Sequence, residues 1–290
     1  MQTNFFNDIE IQKVLKQSNK ITHSYNNKFG SFLIYPLFKS FTIIYCGQEL
    51  TTKAKNYLKK IVKKHKAIYT VVETLQEVPR FESKSFKEFI PRATRQISLS
   101  QPLEKIYSQM HQKGRYNARL AQKKGLTVSN TLTPEDFYKL LTKTSARDGF
   151  SINPLTYYQA LFQLSANKLH KYAIYKDQKL IAAAITLDHD STTYYLYGAS
   201  SIKHRNLMAP YLIQFSAITD AHKRKQKTYD FLGVSPYSPH PLDKVSEFKR
   251  KFGGQIIHYQ NNQIVIHKPI LFSLLKIRKF IKFIKNKLNK

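Results

Sequence analysis

The chain has 290 residues, 42% of them hydrophobic, enough to bury the cores of two domains. Lysine and arginine number 48 against 18 aspartates and glutamates, a net charge of +30. That excess points to an anionic partner: nucleic acid, an anionic membrane face or a phosphorylated substrate. The lysine bias of an AT-rich genome is the alternative, but it would not by itself deplete the acids. The single cysteine, Cys46, excludes an internal disulfide and fits a reducing cytoplasm. The N-terminal segment reads as no signal peptide, and no run of about 18 apolar residues is present to span a membrane.

In chain order, residues 31–36 and 40–46 read as two strands joined by a turn. Lys53 to Lys66 reads as a helix with Ala54, Leu58, Ile61 and Val62 on one face and its lysines elsewhere. A buried strand at 67–73 follows, then an irregular stretch with Pro79 and Pro91, then a strand at 94–100 that would close a first α/β unit. Pro102 opens a helical stretch to about Lys124, stopped by Gly125. Thr133-Pro134-Glu135-Asp136 starts another helix, with Phe137, Leu140 and Leu141 inward. A helix at 154–168, strands at 171–176, 179–188 and 192–198, a helix at 209–225 and a strand at 228–233 complete the second unit. The end reads as a hairpin, QIIHY and QIVIH, turning at Asn261-Asn262.

Two α/β units of like layout follow from that order, each a mixed sheet with helices packed on it, and tandem GNAT-like domains fit it. The expected division is an N-terminal domain with its connecting helix over 1–125, a C-terminal domain over 126–268, and a basic amphipathic helix over 269–290. In that last segment Ile270, Leu274, Ile277, Ile281, Ile284 and Leu288 form an apolar stripe, with Lys279, Lys282, Lys285 and Lys287 off it. The pattern suits an anionic membrane face; the alternative is a helix docked on its own domain with a wet basic side.

The loop at 204–210 has no glycine, and Pro210 removes a backbone donor, which argues against a coenzyme A phosphate cradle. Arg205 and Asn206 precede a helix and suit a phosphate at its N-terminus, or form a plain exposed loop. Asp230 is placed to position or deprotonate an amine, or to cap backbone N–H groups as a structural carboxylate. FKRKFGG (248–254) sets cations beside aromatics, or is a solvated basic turn. No HExxH or Cys/His cluster is present, so no metal is expected.

The blocks TYYLYGASS (193–201), HRNLMAPYLIQ (204–214), TYDFLGVSP (228–236) and HPLDKVSEFKRKFGG (240–254), with GRYNARLAQKKG (114–125), resemble the Fem family of non-ribosomal peptidyltransferases. The resemblance runs from about Leu15 to His267 and is of the kind without a helical arm. It implies transfer of an amino acid from aminoacyl-tRNA to the stem peptide of a lipid-linked or nucleotide-linked peptidoglycan precursor. No cofactor is implied beyond that co-substrate, and the chain is expected to act as a monomer at the inner face of the cell membrane. By position, the resemblance implies that Lys249 handles the tRNA end and the transition-state charge, with Phe248 beside it. It places Tyr157 and Tyr197 along the precursor cleft, where as lone tyrosines they also suit core or rim positions. Arg115, Arg119, Arg250 and Lys251 are the candidate RNA or phosphate contacts, the helix at 114–125 being otherwise a solvated connector. Three positions depart from the family pattern: NKITHSY after Gln17-Ser18, Cys46-Gly47-Gln48, and Asn153 where an Arg is frequent. Each puts a phosphate clamp, and so the acceptor, in doubt.

Overall fold

The computed structural model describes residues 4–38, 40–83 and 85–288. The elements are α1 (Ile9–Gln17), β1 (His23–Asn27), β2 (Gly30–Phe38), β3 (Phe41–Cys46), α2 (Thr52–His65), β4 (Ala67–Val72), β5 (Glu77–Val78), β6 (Ala93–Ser98), α3 (Leu103–Ser108) and α4 (Gln112–Lys123). There follow α5 (Pro134–Asp148), α6 (Leu155–Leu161), β7 (Leu169–Lys176), β8 (Lys179–His189), β9 (Thr192–Ser200), α7 (Ala209–Lys223), β10 (Thr228–Gly233), α8 (Asp243–Arg250), β11 (Gln255–Tyr259), β12 (Gln263–Ile266) and α9 (Pro269–Leu288).

The chain divides into two compact units, each with its own mixed sheet. One holds Phe6–Thr74, Ser83–Phe89 and the segment from Asn261; its sheet runs β1-β2-β3-β4-β12. The other holds Leu75–Glu82 and Ile90–Gln260; its sheet runs β5-β11-β6-β10-β9-β8-β7. Both repeat one plan. Three antiparallel strands lead into a helix that returns the chain parallel to the third strand: β1-β2-β3-α2-β4 in one unit and β7-β8-β9-α7-β10 in the other. The last strand of each is then covered by an antiparallel neighbour from elsewhere in the chain, β12 beside β4 and β6 beside β10.

That exchange changes two expectations. The strand at 94–100 does not close the first unit. It is β6, paired with β10 (Ile97 opposite Tyr229), and both side chains sit in the core of the larger unit. The terminal pair is not a hairpin, because β11 pairs with β5 and β6 while β12 pairs with β4 in the other sheet. Each unit is therefore assembled from separate stretches of the chain.

Local signals explain most element ends. The Thr51 hydroxyl caps α2 at Ala54 N–H, and Thr133 caps α5 at Asp136 N–H ahead of Pro134. Asp177 and Gln178 both take the left-handed conformation that a two-residue hairpin turn needs. The single helix expected over 102–124 is two, broken at Gln109–His111. Arg115 folds back to donate to the carbonyls of Tyr107, Ser108 and Met110, and His111 N–H reaches the Lys251 carbonyl. α6 is shorter than expected, ending at Leu161.

In the smaller unit, Phe32, Ile34, Ile44 and Cys46 meet Ala54, Leu58 and Ile61 of α2 on one face of the sheet. Neighbouring strand residues point to the other face. There Tyr45 packs on Phe89, and Tyr69, paired with Ile43, packs on Phe86 and on Phe272 of α9. So α2 and α9 cover opposite faces of this sheet. In the larger unit α7 packs with α3 and α4 side chains over β6 to β10, and α5 and α6 pack around the buried Phe137 and Tyr158.

Candidate active site

The larger unit carries the candidate site. β9 and β10 run parallel but pair only from Thr228–Thr192 to Asp230–Tyr194. Beyond that point both strands are irregular. β9 slips register against β8 between Tyr195 and Tyr197, and β10 slips against β6 between Asp230 and Gly233. Leu232 takes a left-handed backbone at φ 54°, unfavourable for a side chain of that size unless its surroundings hold it.

Two buried charges hold it from opposite sides. Asp230, 1% exposed, accepts from Leu232 N–H at 2.6 Å and from the Thr94 hydroxyl with one oxygen, and from Gln96 Nε2 at 2.9 Å with the other. Lys249, 6% exposed on α8, donates from Nζ to the Gly233 carbonyl at 2.6 Å and to the Leu232 carbonyl at 3.4 Å. Burial raises the Asp230 carboxyl above its ordinary range, against the pull of its hydrogen bonds and of the Lys249 charge. Burial brings the Lys249 ammonium down to about 8, against the pull of Asp230. Asp230 caps the Leu232 N–H, and its three donors take part of the accepting capacity of its two oxygens. Lys249 has three N–H donors, and two carbonyls take part of that capacity.

Phe248, next to Lys249 in sequence, belongs to an aromatic cluster. Phe248 meets Tyr211 and Phe252, each at 5.2 Å between ring centroids, and Phe252 meets Phe231 at 5.7 Å. The glycines after α8 are structural: Gly254 has φ 71°, and a Cβ there would lie 2.2 Å from the Gln96 carbonyl oxygen. The Pro-rich loop from β10 to α8 is gathered by Asp243, which accepts from the Ser235 and Ser238 hydroxyls and from His240 N–H.

Tyr157 and Tyr197 are brought together in a second cluster. The Tyr197 hydroxyl donates to Tyr157 at 3.1 Å and accepts from Asn153 Nδ2 at 3.2 Å. Burial raises both phenols, that of Tyr197 strongly. Tyr197 lies three residues beyond the partner of Asp230 on β9, roughly 10 Å along the strand. Asn153, one of the departures from the family pattern, thus has a defined place in this cluster.

The remaining candidates do not converge on Lys249. Arg115 uses its guanidinium on backbone carbonyls, and Arg119 is exposed on α4. Arg250 and Lys251 both pair with Glu247, whose carboxyl those hydrogen bonds hold down to about 2. Arg205 and Asn206 are exposed on a 3-10 turn before α7, with the Asn206 carbonyl accepting from Lys124 at 2.6 Å. Thr94, Gln96 and Tyr211 were missed in the sequence. The first two sit in a strand assigned to the other unit, and Tyr211 reads as one more apolar residue of a helix.

The FemAB family matches this chain over residues 82–172 and 165–279. A lipid II:glycine glycyltransferase of Staphylococcus haemolyticus is 23% identical over 60% of this chain and 59% of its own length. Another, from Staphylococcus epidermidis, is 21% identical over 83% of this chain and 78% of its own. The crystal structure of FemX superposes with a TM-score of 0.74 at 18% identity, over 94% of this chain and 98% of FemX. That likeness bears out the expected architecture of two mixed α/β units.

Proposed function

Because the chain belongs to the FemAB family, we propose that it transfers an amino acid from aminoacyl-tRNA to an amine on the stem peptide of a peptidoglycan precursor, lipid-linked or nucleotide-linked, as part of cell-wall bridge formation. The acceptor nitrogen attacks the ester carbonyl, the new C–N bond forms, and the C–O bond to the ribose breaks. The proton lost by the amine balances the one gained by the departing ribose hydroxyl. No covalent enzyme intermediate is required.

The observation that carries the reading is the buried Lys249 ammonium at the point where β9 and β10 part. A cation held there in a low-dielectric site suits the oxyanion that develops in aminolysis of an ester. Asp230 acts as a positioning residue, fixing the Leu232 kink against which Lys249 is set. The paired rings of Phe248 and Tyr211 offer aromatic surface, and the Asn153–Tyr157–Tyr197 cluster offers hydroxyls to an acceptor peptide.

A precursor anchored in lipid makes attachment to a surface useful, and α9 supports it. The helix docks through Phe272 and leaves Ile270, Leu274, Ile277, Phe280, Ile281 and Ile284 between 40% and 79% exposed. Exposed lysines flank that stripe, the arrangement of a helix lying in an anionic interface. No helix among the described residues is long and apolar enough to cross a membrane. The test is discharge of labelled aminoacyl-tRNA with and without purified lipid-linked precursor. Acceptor-dependent discharge supports the reading. Acceptor-dependent discharge seen only with a different amine, such as a protein N-terminus or a lipid head group, would keep the chemistry and overturn the acceptor.

A further inference from the structure

We propose that the outward face of α2 docks the sugar-phosphate backbone of the donor RNA, an assignment that rests on the aminoacyl-tRNA reading above. α2 buries Ala54, Leu58 and Ile61 against its sheet. Its other side exposes Lys53, Lys55, Lys59, Lys60, Lys63 and Lys64. From 52 to 66 the chain has no acidic residue, and among the described residues none of these lysines forms a salt bridge. One of them, Lys64, also lies over the Tyr25 ring at 5.7 Å.

The ridge works against the helix that carries it. Lys55–Lys59, Lys59–Lys63 and Lys60–Lys64 are like charges four residues apart, which destabilises an α-helix. Lys53 and Lys55 lie at the positive end of the helix dipole, the wrong end for a cation. Lys63 and Lys64 in the last turn do suit the dipole, but the repulsion along the ridge remains, and a polyanion laid along it would relieve that repulsion. From Lys53 to Lys64 the ridge extends about 16 Å, long enough to meet several phosphates.

RNA fits this face better than a membrane does. The large apolar side chains of α2 are buried or half-buried, whereas α9 exposes a continuous apolar stripe. The two helices cover opposite faces of one sheet, so when α9 lies on a membrane the lysine ridge points into the aqueous phase.

The test compares the wild type with a variant carrying Lys55→Gln, Lys59→Gln, Lys60→Gln and Lys63→Gln, all exposed positions. Binding of deacylated tRNA is measured between 50 and 200 mM salt, values set by the range in which counterion release is read. Each lost phosphate contact lowers the slope of log K against log salt by about 0.7 to 0.9. The expected result is a slope shallower by about 3 and binding at least tenfold weaker at low salt, with the four Lys→Arg changes restoring both. An unchanged slope while acceptor-dependent discharge persists would overturn this surface and leave the proposed function standing. Loss of anionic-vesicle binding in place of tRNA binding would make the ridge a membrane contact and overturn it too. A wild type that binds no tRNA would overturn the proposed function itself.

Discussion

Replacing Lys249 with Met should change how the stability of this protein depends on pH. The Lys249 ammonium is lowered from 10.5 to about 8, chiefly by burial. At 1.36 kcal/mol for each pH unit, keeping it charged in the folded state costs on the order of 3 kcal/mol below pH 8. Between about pH 8 and 10.5 the unfolded chain holds a proton that the folded chain has lost. Unfolded protein then binds more protons, so stability rises with pH through that window. The Met side chain is similar in length but has no proton to lose. It also leaves the Leu232 and Gly233 carbonyls and the Asp230 carboxylate without their cation, and breaking one side of a buried pair costs roughly 3 to 5 kcal/mol. Urea unfolding of both proteins at pH 7, 8, 9 and 10 reads the effect, because titrating groups remote from Lys249 cancel in the difference. The wild type should gain about 2.5 kcal/mol on Lys249→Met between pH 7 and 10. Parallel profiles would show that Lys249 is not desolvated in the folded state, and the argument from its burial would fail.

In the same enzyme, a transfer rate that depends on the Lys249 ammonium should decline as pH rises through about 8, measured as single-turnover discharge with saturating acceptor. Gly114→Ala should cost about 1 to 3 kcal/mol in thermal unfolding, because a Cβ there would stand 2.3 Å from the Lys251 carbonyl oxygen in the close contact between α4 and the end of α8. Asp188→Asn should cost about 3 kcal/mol at neutral pH. Desolvation pushes the Asp188 carboxyl up, but hydrogen bonds from His170, Arg224 and Thr193 bring it below its ordinary value. Its contribution is present above the unfolded pKa and lost as pH falls through the folded one, so the variant and wild-type acid curves should converge at low pH. Leu274→Ser, Ile277→Ser and Ile281→Ser together should leave folding intact and weaken binding to anionic vesicles at least tenfold in a flotation assay. These exposed positions are better targets than deletion of the whole helix, which would remove Phe272 and uncover its partners Tyr69 and Phe86.

What could be read in the sequence was what local chemistry determines. Thr133-Pro134 marks a helix start and Asp177-Gln178 a tight turn wherever they occur, and both stand where expected. The HSYNN strand β1 was illegible because it is a polar edge with little burial to pattern it. Asn261-Asn262 reads as a turn, but turn residues do not say which sheet each flanking strand joins. The break between α3 and α4 depends on Lys251, more than a hundred residues away in sequence. The site shows the same division. Lys249 and Phe248 are named by the wording of a motif block, and Asp230 by its place near the end of a strand. The meeting of Asp230 and Lys249 at the Leu232 kink depends on Thr94 and Gln96 from a distant strand, and no spacing in the sequence announces it.

The most direct measurement is the mass of purified lipid-linked precursor after incubation with this protein and a mixed aminoacyl-tRNA pool. A precursor heavier by one amino acid residue or more is expected, formed by the wild type and lost in Lys249→Met while that variant remains folded. A precursor of unchanged mass, with tRNA discharged no faster than its spontaneous hydrolysis, would contradict the proposed transfer.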